Sequence, residues 1–221
     1  MSGKEDIALD ITASIEHDQI PEELRRESSV LNLCVFCGAR PGSAETLSLA
    51  REVGHLIGLE GHRLVYGAGG SGLMGELAWA AFRAGAEITG VVPRFLYERE
   101  RGLSAPPQNS AITDTMFERK QIMIDRSDAF VALPGGYGTM DEVLEVVSLK
   151  YLNACEKPLI LLGDDNFWEP FEAVDKALRQ RGFVDDRACR GFEIAHSARE
   201  ALDLVAALAP LADRAVQETR S

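Results

Sequence analysis

Residues 129–142 decide the fold of this chain, because they join an apolar strand directly to a glycine-rich loop and a helix. The stretch reads AFVALPGGYGTMDE. Its first half is an unbroken apolar run, which is typical of a strand that helices cover on both faces of a parallel sheet. Three glycines fall between Pro134 and Thr139, and the carboxylates Asp141 and Glu142 follow. The stretch therefore predicts a β-loop-α unit with a glycine-rich loop at the carboxyl end of its strand.

The same alternation of strand and helix extends over most of the chain. Apolar runs predict strands at 30–37, 62–67, 86–93, 128–134, 157–163 and 192–197. Helical spacing predicts helices at 44–61, 73–85, 116–127, 139–153, 167–182 and 198–210, with a long polar loop between the third strand and about residue 115. This pattern predicts an α/β fold, a Rossmann-like doubly wound parallel sheet with helices on both faces.

The polar, weakly periodic N-terminus differs from the regular pattern that follows it. Residues 1–28 are interpreted as an extension that is flexible or packs on a partner subunit. Residues 29–221 are interpreted as a single Rossmann-like domain. No signal-peptide core occurs near the N-terminus, so a cytoplasmic location is expected.

The charge balance excludes several classes of partner. The chain has 35 acidic and 23 basic residues among 221, a formal net charge of −12. This balance argues against a surface that coats nucleic acid or a polybasic patch that binds membranes. No apolar stretch approaches the roughly 18–20 residues of a membrane span. An anionic ligand would have to be met locally, by backbone amides and a few well-placed cations.

The cysteines and histidines do not predict a metal site. Cys34 and Cys37 form a C-x-x-C pattern, but inside a predicted strand. Positions three apart on a strand point to opposite faces, so both cysteines are expected in the core rather than in a redox or zinc site. The four histidines are scattered without the spacing of metal ligands. We expect neither a metal nor a cofactor.

Four loops leave the carboxyl ends of predicted strands, and ligands bind at this edge of doubly wound sheets. They read GARPG, GAGGSG, PRFLYERE and PGGYG. Glycine also shapes ordinary strand-to-helix turns, which is the alternative interpretation of any one loop. Convergence of the loops predicts a binding cleft that includes Gly38, Gly69, Gly70, Gly135, Gly136 and Gly138.

The PGGYG loop has the properties of a phosphate site. It opens a helix whose first amides lack intrahelical partners, and the helix dipole favours an anion there. The GAGGSG loop fits G-x-G-x-x-G, but no acid ends the next strand to bind a ribose diol, and no Gly-Lys-Ser/Thr occurs. The pattern therefore favours a nucleoside monophosphate over NAD or ATP.

Three charged residues complete the predicted cleft. The helix with the sequence MFERK returns before the strand at 128–134, which puts Arg119 and Lys120 at the same sheet edge as the PGGYG loop. A solvated helix face is the alternative for these two cations. Glu142 is open between two roles, because Thr139 and Glu142 also match a capping box with Thr139 as N-cap.

Five motifs together resemble the Lonely Guy (LOG) family of cytokinin riboside 5′-monophosphate phosphoribohydrolases, long mislabelled as lysine decarboxylases. They are CVFCGARPG, VYGAGGSGLMG, GVVPRFL, MFERK and DAFVALPGGYGTMDEVLEV, and the resemblance covers about residues 30–205. It implies hydrolysis of the N-glycosidic bond of adenosine 5′-monophosphates, N6-modified ones included, to free base and ribose 5-phosphate. It also implies a homodimer or larger homo-oligomer.

The resemblance assigns roles to individual positions. It implies that Arg119 and Glu142 are catalytic. It implies that Lys120 contacts the nucleotide, together with these residues of the loop and the helix start: Gly136, Tyr137, Gly138, Thr139, Met140 and Asp141. With a less certain alignment, it also implies contacts from Glu100 and Ser148.

Other functions stay open at this point. Ala39, Ala68 and Phe117 depart from residues common in the family, which leaves the base preference open. A broader purine nucleoside monophosphate nucleosidase and a non-catalytic nucleotide-binding module are alternatives. A pyridoxal-phosphate lysine decarboxylase is disfavoured, because Lys120 and Lys150 lack the expected partners.

Overall fold

The computed structural model of the chain describes residues 30–99, 105–163, 166–185 and 191–219. These residues form seven strands and seven helices. The elements in chain order are β1 (Asn32–Phe36), α1 (Ala44–Leu59), β2 (Arg63–Tyr66), α2 (Gly72–Arg83), β3 (Ile88–Pro93), α3 (Arg94–Arg99), β4 (Asn109–Thr113), α4 (Met116–Asp125), β5 (Ala129–Ala132), α5 (Tyr137–Tyr151), β6 (Leu159–Leu162), α6 (Glu169–Gln180), β7 (Glu193–Ala195) and α7 (Ala198–Thr219).

The strands form one parallel sheet in the order β4-β3-β2-β1-β5-β6-β7. The chain winds outward from β1 to β4, and α4 then carries it back to the other side of β1. There β5 pairs with β1, so that Leu33 lies beside Ala129 and Phe36 beside Ala132. The predicted doubly wound fold is confirmed. Its topological switch point lies between β1 and β5, which is where such sheets bind ligands.

Two hydrophobic layers cover the sheet, one on each face. Alternate residues of β1 enter different layers: Leu33 and Val35 pack with α1, α2 and α7, whereas Cys34 and Phe36 pack with α4 and α5. Cys37 belongs to the first layer, so Cys34 and Cys37 point to opposite faces. Both are free thiols, and burial raises the pKa of each. The prediction of core cysteines is confirmed.

Two predictions about element bounds are wrong. The predicted polar loop after β3 contains α3 and β4. Strand β4 pairs with one neighbour only and is largely exposed, so it carries no apolar run that sequence patterning could detect. The last helix was predicted to end at residue 210. Helix α7 instead continues to Thr219 with Pro210 inside it.

None of the helices in the described ranges combines the length and apolarity of a membrane span. The predicted extension, residues 1–28, lies outside the described residues. The division into an extension and one domain, and the cytoplasmic location, stay predictions from the sequence.

Helices α1 and α2 approach so closely that their contact requires glycine. A Cβ atom added at Gly54 would lie 2.2 Å from the carbonyl oxygen of Leu77, and one at Gly58 would lie 2.6 Å from Cβ of Ala84. Because backbone packs on backbone here, neither helix can move aside cheaply. This contact joins the C-terminal parts of the two helices, whose N-terminal ends face the sheet edge described below.

Gly54→Ala is therefore expected to lower the free energy of unfolding by about 1–3 kcal/mol through overpacking. The expected sign is opposite to that at an exposed helix position, where replacing glycine by alanine stabilises the helix by about 1 kcal/mol. Urea unfolding followed by circular dichroism measures the change. Ser48→Ala, on the exposed side of the same helix, is the matched control. A Gly54→Ala protein more stable than the parent would contradict the packing argument.

Candidate active site

A cavity of about 650 Å³ opens at the switch point, above the carboxyl ends of the strands. The loops that follow β1, β2 and β5 supply half of its lining residues, at the sheet edge predicted to bind a ligand. The predicted site residues in the wall are Gly38, Arg119, Gly135, Gly136, Gly138, Thr139 and Glu142.

The first and last of these loops lie directly against each other. The Gly38 N–H donates to the carbonyl oxygen of Pro134 at 3.2 Å. A Cβ atom at Gly135 would lie 2.1 Å from Oγ1 of Thr139 and 3.0 Å from the Gly38 nitrogen. Glycine at 135 is thus required for the two loops to meet. By contrast, Cβ atoms at Gly136 and Gly138 would meet nothing within 4 Å, which leaves this side of the loop open to a ligand.

Three helix N-termini face the cavity. Ser43, the N-cap of α1, accepts a hydrogen bond from the Thr46 N–H. Helix α5 begins after Gly136, which has no side chain to satisfy the first amides. Helix α2 contributes Met74 from its first turn. Uncapped amides and the positive ends of helix dipoles favour an anion at this point of the cavity.

The capping-box interpretation of Thr139 and Glu142 is wrong. Helix α5 begins at Tyr137 with Gly136 as its N-cap, so Thr139 already lies in the first turn. Glu142 is therefore too far along the helix to bond the N-cap amide, and it reaches Arg119 instead. A complete capping box occurs at the start of α4, where Thr115 is the N-cap and Glu118 is its partner.

Arg119 and Glu142 form a buried ion pair at the floor of the cavity. Nη1 of Arg119 lies 2.8 Å from Oε1 of Glu142, and the two side chains are 9% and 7% exposed. The Nε–H of Arg119 also donates to the Val91 carbonyl oxygen at 3.0 Å. A Cβ at Gly67 would lie 2.2 Å from Nη2 of Arg119, so glycine at 67 leaves room for the guanidinium. Residues from α4, α5, β2–α2 and β3 thus position one pair.

Burial raises the pKa of Glu142 above its ordinary value of 4.5, while the charge and hydrogen bond of Arg119 pull it down. The arginine therefore favours the ionised form of a carboxylate that its surroundings would otherwise protonate. A carboxylate with a raised pKa in a cleft is typical of a functional group.

The remaining predicted contacts lie outside the cavity wall. Lys120 is buried between α4 and α5, where its Nζ bonds Asp141 at 3.1 Å and Glu145 at 2.5 Å.

Met140 packs on the hydrophobic layer of Cys34, and Gly69 lies against the side chain of Met74. Tyr137, Ser148 and Gly70 also lie outside the wall, and Glu100 is outside the described residues. Their nucleotide contacts stay predictions.

The wall also contains residues that the sequence analysis did not single out. Arg40 follows Gly38 in the β1–α1 loop, and Ser43 and Thr46 begin the next helix. Leu96 and Phe167 add apolar surface from α3 and from the segment before α6. The sequence could have indicated Arg40 as a cavity residue, because Arg40 lies in a loop that follows a strand. It could not have indicated Phe167, because the loop of Phe167 contains no glycine cluster.

Among the described residues, no group of three or more His, Cys, Asp or Glu side chains could bind a metal ion. No lysine occurs among the residues that line the cavity. Lys150 donates instead to the carbonyl oxygens of Glu156 and Lys157. The described part of the wall therefore contains no amine of the kind that forms a pyridoxal-phosphate Schiff base.

Comparison with known proteins gives relatives along most of the chain. A cytokinin riboside 5′-monophosphate phosphoribohydrolase of Mycobacterium tuberculosis is 38% identical over 170 residues, 77% of this chain and 90% of the relative. The Oryza sativa enzyme of the same name, LOG, is 39% identical over 177 residues, 79% of this chain and 72% of the relative.

A solved structure with the same fold is the molybdenum cofactor binding protein of Rippkaea orientalis. Its TM-score is 0.61 at 22% identity, and the match covers 81% of this chain and 97% of that one. A family model described as "Possible lysine decarboxylase" matches residues 74–205, more than half of the chain. The chain therefore belongs to the Lonely Guy family, whose family model carries this older description.

Proposed function

We propose that this chain hydrolyses the N-glycosidic bond of adenosine 5′-monophosphates, N6-modified ones included, to free base and ribose 5-phosphate. The observation that carries the proposal is the buried Arg119–Glu142 pair beside the open N-terminus of α5. This arrangement offers an anion site and a carboxylate in one cavity. The relatives named as cytokinin riboside 5′-monophosphate phosphoribohydrolases support the same reaction.

The reaction requires a negative group near the sugar. As the bond between C1′ and the base nitrogen breaks, positive charge develops at C1′, as in other glycosyl hydrolyses. Water adds its hydroxyl to C1′, and the base leaves after gaining a proton. An ionised Glu142 stabilises the charge at C1′ or activates the water. Since a carboxylate would repel the phosphate, Glu142 is placed at the sugar.

Arg119 acts on the reaction through Glu142 in this proposal. Its guanidinium lies against the carboxylate and is anchored by the Val91 carbonyl oxygen. It therefore keeps Glu142 ionised despite burial and holds its orientation. The bond to Val91 also restricts how far Arg119 can move toward another anion.

The alternatives make different predictions. A broader purine nucleoside monophosphate nucleosidase would turn over AMP as well as isopentenyl-AMP, so the two turnover rates separate it from a cytokinin-specific enzyme. A non-catalytic binding module would release no base on prolonged incubation with either nucleotide. A lysine decarboxylase fits poorly, because Lys120 is enclosed by carboxylates and no lysine lines the cavity.

Glu142→Gln and Arg119→Ala are each expected to lower kcat for base release from AMP or isopentenyl-AMP by about 100-fold or more, the range of lost acid–base or electrostatic groups. Chromatography of the free base measures the rate. Glu76→Gln, the same exchange at a half-exposed carboxylate of α2 outside the cavity wall, is the matched control. A Glu142→Gln protein with parental turnover would exclude the proposed role. Absence of base release by the parent would exclude the reaction.

The pH dependence of kcat/KM follows from the pKa of Glu142. Because burial raises this pKa above 4.5, activity is expected to fall with falling pH at a midpoint above 4.5. Arg119→Ala removes the charge that lowers the pKa, so the midpoint moves to higher pH. A carbon-13 NMR titration of the Glu142 carboxyl provides a second readout that does not need activity. An unchanged midpoint in Arg119→Ala would contradict the coupling.

A homo-oligomer is part of the proposal. Tyr137, Leu144 and Tyr151 are exposed at seven-residue spacing along α5, so they share one face. Phe117 of α4 is also exposed, and its ring lies 5.7 Å from Lys120 Nζ, which bonds α5. This apolar strip begins at the glycine loop of the cavity, so a second copy bound there would lie at the cavity mouth.

Leu144→Asp is expected to shift the protein from dimer to monomer in sedimentation velocity, because it puts a charge at the centre of the strip. Leu59→Asp is the control, since Leu59 is also an exposed leucine but lies at the C-terminal end of α1. A monomeric parent, or a Leu144→Asp protein that sediments like the parent, would exclude this interface.

A further inference from the structure

The cavity wall holds two arginines with opposite surroundings. Arg119 is buried, with Nη1 on Glu142 and Nε on the Val91 carbonyl oxygen. Arg40 is exposed, and its guanidinium has no hydrogen bond or ion pair with any residue that the structure describes. Only one of the two is thus available to an incoming anion without breaking an existing pair.

We propose that Arg40, and not Arg119, supplies the cation that binds the 5′-phosphate of the substrate. This inference rests on the proposed function and deepens it, since it divides the cavity into a phosphate end and a sugar end. Arg40 is a binding residue at the first end. Arg119 and Glu142 act at the second.

The backbone of Arg40 is fixed next to the phosphate-binding amides. Its carbonyl oxygen accepts a hydrogen bond from the Leu73 N–H at 3.4 Å, in the first turn of α2. A Cβ atom at Gly38 would lie 3.4 Å from Cα of Gly135 and 3.6 Å from the Arg40 oxygen, so Gly38 packs between the Arg40 carbonyl group and the PGGYG loop. The loop that carries Arg40 thus contacts both the first turn of α2 and the loop before α5.

The same loop lies tightly against α2. Gly72 has a φ of +60°, and a Cβ there would be 2.2 Å from the Ala39 carbonyl oxygen. Backbone geometry thus fixes where the Arg40 side chain begins, while its guanidinium is unrestrained. A guanidinium suits this task, because it binds phosphate oxygens with two parallel N–H bonds and keeps its charge at all relevant pH values.

Electrostatics favours this division over phosphate binding by Arg119. A phosphate on Arg119 would lie beside the Glu142 carboxylate, and two anions in a poorly hydrated site repel each other. The chain has a net charge of −12. Without a cation in the cavity, helix N-termini alone would have to offset the two negative charges of the phosphate. Arg40 can provide that positive charge, because it is exposed and lines the same cavity.

The test uses Arg40→Ala and Arg40→Lys with Arg51→Ala as the matched control. Arg51 is also an exposed arginine of this region, but it pairs with Glu76 outside the cavity. Arg40→Ala is expected to raise KM for AMP by about tenfold or more with kcat within about threefold of the parent. Arg40→Lys restores part of the loss, and Arg51→Ala behaves like the parent.

Calorimetric binding of ribose 5-phosphate supplies a readout that does not need turnover. Arg40→Ala is expected to weaken this binding by about tenfold and to leave inhibition by free adenine unchanged. Equal binding of ribose 5-phosphate by parent and Arg40→Ala, or no binding by the parent, would overturn the inference. If the parent binds ribose 5-phosphate through Arg40 but hydrolyses no nucleotide, the proposed function fails and this assignment stands.

Discussion

The ion pair between Arg119 and Glu142 links α4 and α5 to the ends of β2 and β3. It requires α4 to return across the sheet, α5 to begin at Gly136, and glycine at 67 to leave space for the guanidinium. Both groups are buried, so loss of either partner would leave a charge without compensation, at a cost of about 3–5 kcal/mol. The pair therefore constrains the relative position of α4, α5 and the ends of β2 and β3.

In the proposed function, the same pair allows an acidic chain to bind an anionic substrate and still present a carboxylate to the sugar. Helix N-termini, the exposed Arg40 and the neutralised carboxylate of Glu142 all line the same cavity. Because Arg119 offsets the charge of Glu142, the repulsion between this carboxylate and a bound phosphate is weaker. Lys120 does not contribute to this charge balance, since its ammonium group already pairs with Asp141 and Glu145.

Patterning located the central strands because helices cover both of their faces, which makes them continuous apolar runs. It missed β4 because an exposed edge strand has no such run, and it placed the start of α5 at Thr139 because Thr139 and Glu142 match a capping box. The helix begins earlier, since Gly136 can serve as N-cap without a side-chain bond. Local sequence signals were thus reliable for the buried strands. They were misleading for Glu142, because its side chain pairs with Arg119, which is distant in the sequence.

The sequence by itself determined the parallel α/β architecture, the glycine loop after β5 and the presence of Arg119 at the same edge. These features depend on local periodicity and on the direction in which parallel strands run. Only the tertiary structure decided that Glu142 pairs with Arg119, that Lys120 binds α5 and that Arg40 lines the cavity without a partner for its guanidinium among the described residues. Each of these depends on which side chains from distant segments become neighbours after folding, and no local pattern encodes that choice.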